Sequence, residues 1–255
     1  MAAGDWIKLD LHIHTLDDPC DALDYSAHQL LARAQALGFG VLAITLHDAV
    51  FDNAAVFADA AQMGILLIPA AEVRIRGADV IILNTTADEI AALKSFDNLR
   101  ELRVRRGESL YTIVPHPFYV TGGSMGGETL RREIDCFDAI ELCHFHHRWV
   151  DPNRRAREVA SEFGKPLIAT SDAHRLHAFG RHYTSMPRPP EWSVASVIAT
   201  LRSAPLRLTS PAASLLEIVS AMYFIFIEHP LRIRRRAVRA QALNRTAKAE
   251  RAIFR

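Results

Sequence analysis

Apolar residues run through this chain in short blocks, at 6–13, 40–46, 65–72, 79–83, 110–115, 137–142 and 166–170, and many of them are β-branched. Several blocks are continuous instead of alternating, which is the pattern of strands covered on both faces in a parallel sheet. Helical periodicity falls between them, near 26–38, 52–63, 88–106, 127–134 and 152–164, with Gly38, Gly64 and Gly164 where C-caps are expected. Repeated strand–helix alternation predicts an α/β fold, and seven or so strands favour a barrel over a doubly wound open sheet. Met186 to Pro190, rich in proline, reads as the exit from the main domain, giving a domain over 1–210 and a helical extension over 211–255.

The polar residues that close these blocks carry the chemistry. The first block ends Asp10-Leu11-His12-Ile13-His14-Thr15, and later ones end at His47, at Glu72, at His116, at Glu141 with His144 just beyond, and at Asp172 with His174. His12 and His14 are two apart on a strand, so both imidazoles face one side. In a parallel barrel the C-terminal strand ends share one rim, and side chains scattered along the chain meet in one pocket. An open sheet gathers ligands only near its switch point, which six strand ends would overfill. Each residue alone has a plain alternative: a strand-end charge facing water, a proline-fixed loop at His116, an Asx turn at Asp172. Their recurrence at successive strand ends points to a metal centre built from imidazole and carboxylate, donors suited to zinc, iron or manganese.

Asp-Leu-His-Ile-His-Thr, Ile-Thr-x-His-Asp and Ser-Asp-Ala-His, in that order between Leu9 and His174, resemble the PHP (polymerase and histidinol phosphatase) family of metal-dependent phosphoesterases. The resemblance implies a distorted (β/α)7 barrel holding two or three ions, typically zinc, manganese or iron, and hydrolysis of phosphate esters. Position by position it makes His12, His14, His47, Glu72, His116, Asp172 and His174 ligands, with Glu72 bridging, and an Asp soon after the first motif, where Asp17, Asp18 and Asp21 compete and Asp18 or Asp21 is preferred. His12, His14, Glu72, Asp172 and His174 form the expected catalytic set. His144 is a candidate further ligand, and Arg148 and Arg175 are candidate phosphate contacts, with His177, Arg181 and His182 flanking the last motif. Two departures stand out. Leu46 replaces the acid of the usual Thr-Asp-His motif, leaving Asp48 beside it, and the fourth strand lacks a histidine that many members have, leaving Asp79 as a substitute. Ions clustered this way lower the pKa of bound water and stabilise an in-line displacement at phosphorus. The expected substrate is a nucleotide, an oligonucleotide or a small phosphorylated metabolite, with nucleic acid entering only as substrate.

Composition narrows the setting without choosing the substrate. Three cysteines, Cys20, Cys136 and Cys143, show no Cys-x-x-Cys spacing, and no apolar stretch of the secretory kind opens the sequence, so a reducing cytoplasm is expected. The formal charge of +1 hides an acidic body and a basic tail, since nine Lys or Arg stand against Glu250 alone from 229 to 255. The nearly apolar run from Leu215 to Ile227 is too short to span a bilayer and is expected as a helix, capped at Ser210-Pro211, closing the base of the barrel. The basic stretch after it suits an anionic membrane surface, as a peripheral attachment, or docking on the acidic body. No Walker-type loop or nucleophile elbow is present, and Gly122 to Gly127 reads as a mobile loop or lid after His116. The competing readings are an amidohydrolase-type metal hydrolase, and a non-catalytic metal-binding domain attached to membrane through the tail.

Overall fold

The structure is a computed structural model and describes residues 5–119 and 122–238. Nine strands form one mixed sheet: β1 (Trp6–Ile13), β2 (Phe39–His47), β3 (Leu66–Ile75), β4 (Ala78–Leu83), β5 (Tyr111–Val114), β6 (Ala139–Leu142), β7 (Leu167–Ala169), β8 (Tyr183–Pro187) and β9 (Arg207–Thr209). Their order is β7-β6-β5-β4-β3-β2-β1-β8-β9, and the sheet curls into a nearly closed barrel. Thr184 on β8 ties the two ends, its Oγ1 accepting from Ala169 N and donating to Ala169 O, both at 2.9 Å. The barrel expected from the sequence is therefore present, with two differences. The β3–β4 and β4–β5 pairs are antiparallel, the first joined through Arg76 and Gly77 with φ of 52° and 85°, a two-residue hairpin of left-handed backbone. Met186 and Pro187 do not lead out of the barrel, because they lie in β8 and pair antiparallel with β1.

Alternation along the strands sorts side chains into an interior and two outer layers. Leu9 and Leu11, Val41 and Ala43, Ile68 and Ala70, Ile81 and Leu83, Ile113, Ala139, Ile168 and Met186 fill the interior. Residues between them pack outward, under α1 (Ala27–Leu37) and α2 (Ala54–Gln62) on one side and α3 (Ala87–Ala91), α4 (Phe96–Arg106), α5 (Gly127–Arg132) and α6 (Asn153–Phe163) on the other. The single helix expected over 88–106 is two, because Ser95 caps a new one through Asn98 N. α7 (Val194–Ser203) plugs the base with Val197, Ile198 and Leu201, all fully buried.

The C-terminal helix, α8 (Leu215–Tyr223), is capped by Ser214 and Glu217 in a reciprocal box rather than at Ser210-Pro211. It continues through a π-helical turn at Phe224–Glu228 and on over 229–238. It does not close the base, which α7 already fills; it lies across the opposite mouth. Leu216, Val219 and Phe226 are 79%, 62% and 63% exposed, so its apolar face points outward instead of into a core. The basic residues from Arg239 onward lie outside the described residues.

Candidate metal centre

One irregularity in β1 aims the first two imidazoles. Register with β2 shifts between Asp10 and Ile13, so Leu9 and Leu11 face the interior while Ile13 joins the outer layer. His12 and His14 are thereby both carried to the inner side, the usual effect of a bulge at a strand end. Thr45 Oγ1 stabilises the kink, accepting from Ile13 N at 3.2 Å and donating to Ile13 O at 3.3 Å. On β2 and β3 plain alternation suffices: Val41, Ala43, Thr45 and His47 share a face, as do Ile68, Ala70 and Glu72. Leu46 falls on the opposite face in the outer core, so an acid there would be buried among Ile44 and Leu67, and Asp48 is turned away to accept from Arg74 N at 2.9 Å.

Glu72 is the hub. Its Oε2 lies 3.3 Å from each of His12 Nε2, His14 Nε2 and His47 Nε2, and its Oε1 lies 3.4 Å from His116 Nε2. Asp172 Oδ1 comes within 3.4 Å of His12 Nε2 and 3.5 Å of His14 Nε2, and within 3.3 Å of His174 Nδ1. Asp21 Oδ2 is 2.9 Å from His174 Nε2. Donor atoms within 4.8 Å of one another define the groups His12/His14/Glu72, His12/His116/Glu141, Glu72/Asp79/His116 and His14/Asp21/His47/His174. His116 and Asp172 hold φ of 27° and 45°, left-handed backbone that costs a non-glycine residue energy and marks positions where direction matters.

Asp18 and Asp21 divide the roles that the sequence left open. Asp18 is fully buried and braces the loop, with Oδ1 accepting from Cys20 N and Asp21 N at 2.8 and 3.0 Å. Its Oδ2 meets His14 Nδ1 and His47 Nδ1 at 3.0 and 2.9 Å, turning both Nε2 atoms toward Glu72. Asp21 is the carboxylate that opens toward His174, whereas Asp17 only accepts from the Thr15 hydroxyl. Glu141 orients in the same way as Asp18: its Oε1 meets His12 Nδ1 at 2.9 Å, its Oε2 accepts from His116 N at 2.8 Å, and Thr170 donates to it. A carboxylate behind a ligating imidazole fixes the tautomer and raises basicity. Its position closing an apolar block was the signal in the sequence.

The electrostatics follow from packing carboxylates and imidazoles together. Burial disfavours charge on His12 and His14, yet Asp172, Glu141, Glu72 and Asp18 outweigh it and hold both imidazoles protonated well above the usual range. His116 is likewise raised to about 9, burial being overcome by Glu72 and Asp172. Burial opposes ionisation of Glu72 and Asp172 too, but the facing imidazoles keep both carboxylates well below their usual range. Divalent cations would meet these same carboxylates and imidazoles as ligands. Glu72 Oε1, Asp21 Oδ2 and His116 Nδ1 are buried without a hydrogen-bond partner, so the donor set fits ions better than it satisfies itself.

The remaining candidates separate clearly. His144 Nδ1 stands 3.9 Å from Asp172 Oδ2, and burial pushes its pKa down to about 3. Asp79 is near His116, but both its oxygens are taken by Arg74 at 2.7 and 2.9 Å. Gly123 presses its backbone on that pair, donating no side chain and accepting from Asp79 N at 2.8 Å, which ties the glycine segment down beside the site. Arg175 lines the cavity over the centre, with Arg74, Arg181, Phe224 and His229, in a volume of about 680 Å³. Arg148 is not brought there. The turn closed by His147 and Val150 swings it outward, its guanidinium 4.2 Å from the Trp149 ring, beside a second, apolar groove under α8. Sequence reasoning missed Arg74 and His229, which lie outside the family-like motifs.

Comparisons with known proteins agree with this geometry. Residues 150–205 match the PHP-associated family. No curated protein matches the chain. Among solved structures, a two-domain protein of Bacteroides vulgatus containing a predicted PHP-like metal-dependent phosphoesterase superposes with a TM-score of 0.60 at 19% identity, over 82% of this chain and 66% of that one. PsfC of Pseudomonas syringae gives 0.62 at 15%, over 87% and 98%. The lesion-specific endonuclease Q of Pyrococcus furiosus gives 0.58 at 12%, over 86% and 66%. The chain thus spans just under two thirds of the first and third of these structures.

Proposed function

From a chain that has the PHP fold and a PHP-associated segment, we propose that this protein is a metal-dependent phosphoesterase acting on a small phosphorylated metabolite or nucleotide. The convergence of four imidazoles on the single Glu72 carboxylate, inside a cavity walled by guanidinium groups, carries this reading. His12, His14, Glu72 and Asp172 would hold one ion, Glu72 and His116 a second, and Asp21, His47 and His174 a third, of zinc, manganese or iron. Such ions supply Lewis-acid stabilisation of phosphoryl oxygens and lower the pKa of water at neutral pH.

The chain's own side chains do the rest. Asp18 and Glu141 hold three imidazoles in the orientation that directs Nε2 inward. Arg175, steadied by Ser220 Oγ at 3.3 Å and stacked 5.0 Å from Phe224, is placed to receive two phosphoryl oxygens side by side. His144, kept neutral by burial, can give an N–H to substrate without adding charge. The helix across the mouth leaves room for a compact ester and crowds a duplex, so nucleic acid ranks behind small substrates despite the likeness to endonuclease Q.

Phosphate release from aryl phosphates, nucleoside phosphates, sugar phosphates and short oligonucleotides, with manganese or zinc added, tests the reading. His12→Ala and His14→Ala should each lower the rate by more than about 100-fold, since even partners behind a ligand are worth about 10- to 100-fold. Full activity in either variant would overturn the proposal.

The outward apolar face of α8 favours a peripheral membrane association as well, because Leu215, Leu216, Val219 and Phe226 beside a run of arginines resemble a helix lying in a lipid interface. No helix among the described residues is long and apolar enough to cross a membrane. Flotation with phosphatidylserine vesicles should capture the protein, and Leu216→Ser with Phe226→Ser should release it. Three free thiols accord with a reducing cytoplasm on the inner side of such a surface.

A further inference from the structure

We infer that His229, on the C-terminal helix, is an additional ligand of the ion held by Asp21, His47 and His174, so that ion binding fastens the helix over the mouth. The inference rests on the metal-dependent reading above but concerns a residue outside the family-like motifs. Its basis is a mismatch between distance and hydrogen bonding. His229 Nε2 is 3.1 Å from Asp21 Oδ1, yet it is buried with no hydrogen-bond partner. Asp21 Oδ2, 2.9 Å from His174 Nε2, is unpartnered in the same way. The two oxygens of Asp21 thus face one imidazole each, His174 on one and His229 on the other, and a cation bound at this carboxylate would draw both imidazoles onto it. The His174 and His229 rings are 6.3 Å apart and cross at 82°, so imidazoles from two elements flank the same carboxylate.

The helix is built to deliver that ring. Its π-helical turn at Phe224–Glu228 ends immediately before His229, and one wide turn rotates the following residues relative to those before. After it, His229, Arg232 and Arg236 fall three and four apart on the face toward the loop that follows β1. Arg232 Nη1 bonds Asp24 Oδ2 at 2.8 Å, and Arg236 Nη1 donates to Asp18 O at 2.9 Å and to Asp21 O. The same loop therefore supplies the ion's carboxylate and the helix's anchor. By reciprocity, a cation that gains a ligand from the helix must hold the helix in return.

The test uses the full chain with zinc as the probe. Competition against a chromophoric chelator, with hydrogen exchange over residues 224–238 followed with and without zinc, is run on the native protein and on His229→Gln, which keeps a hydrogen-bonding group beside Asp21. His28→Gln, on the outer face of α1, is the control for losing a surface imidazole. The inference expects His229→Gln to weaken the most labile ion by at least roughly tenfold, the other ions being unaffected. It also expects zinc to slow exchange over 224–238 in the native protein and to leave it unchanged in His229→Gln. Zinc titrations and exchange identical in the two would overturn the inference while leaving the phosphoesterase reading intact. A native protein that binds no zinc at all would end both.

Discussion

A helix closes each end of this barrel, and the two are attached in opposite ways. At the base, α7 inserts Val197, Ile198 and Leu201 into the interior core, where none is more than 1% exposed. At the mouth, the C-terminal helix buries only Ala221 and Phe224 among its described residues, turns most of its large apolar residues to solvent, and is held by Arg181 to Glu217, Arg175 to Ser220, Arg232 to Asp24 and Arg236 to loop carbonyls. Buried apolar area commits a helix to one place, whereas exposed ion pairs are each worth about 0–1 kcal/mol and are readily exchanged. The base is thus structural and the mouth adjustable, which is the division an enzyme needs if its reactants enter from one side only.

Substitutions at the two ends should diverge accordingly. Leu201→Ala at the base should cost about 2–5 kcal/mol in denaturant unfolding, the price of a cavity in a packed core. A loss below 1 kcal/mol would mean that α7 is no plug. At the mouth, Glu141→Gln leaves the shape intact but removes the negative charge behind His12, and metal affinity should fall roughly 10- to 100-fold in a chelator competition. Unchanged affinity would show that His12 needs no partner to be aimed.

Acidity should separate the ends next. In the metal-free protein His116 is raised to about 9 from 6.5, so the stability it lends is complete below pH 6.5 and is lost as pH climbs through 9. His12 and His14, also raised, extend the loss in the same direction. Metal-free protein should therefore melt at progressively lower temperature from pH 6.5 to 9, while the deficit caused by Leu201→Ala stays constant across that range. A flat melting profile would contradict the raised pKa of these imidazoles. The smallest effect belongs to Leu216→Ala on the outer face of α8, expected to change stability by less than about 0.5 kcal/mol. A larger loss would mean that this face is covered in solution.

The barrel was readable in the sequence because seven of its nine strands are local events, each an apolar block bounded by turns. The candidate ligand positions were readable for a related reason. His47, Glu72 and Asp172 each break an apolar pattern at its end, and a break repeated at successive strands has few other causes. What escaped depends on contacts distant in sequence. Nothing local in Tyr183 to Pro187 marks a strand, because its partners on β1 and β9 supply the pattern. The choice between Asp18 and Asp21 turns on which carboxylate accepts from nearby backbone amides, and that appears only once the loop is folded. Arg148 seemed close to the pocket in sequence and is carried outward by a turn. The helix of Leu215 to Ile227 was expected inside because apolar residues usually are; its ends are charged and capped, and the place it would have filled was already taken by Leu201 and its neighbours.

The shift in β1 has a bearing on how far this protein can be altered. Upstream of Asp10 the strand sends odd-numbered side chains inward, and beyond Leu11 it sends even-numbered ones, so a greasy interior and a polar crown are served by one continuous segment. Straightening the kink with no residue removed would exchange imidazoles for isoleucine at the summit, whereas deleting Leu11 would restore plain alternation with His12 and His14 still facing inward. A slip of the first kind would leave the walls standing while turning two imidazoles out of the candidate centre, and the Thr45 hydroxyl, bonded to both Ile13 N and Ile13 O, resists it.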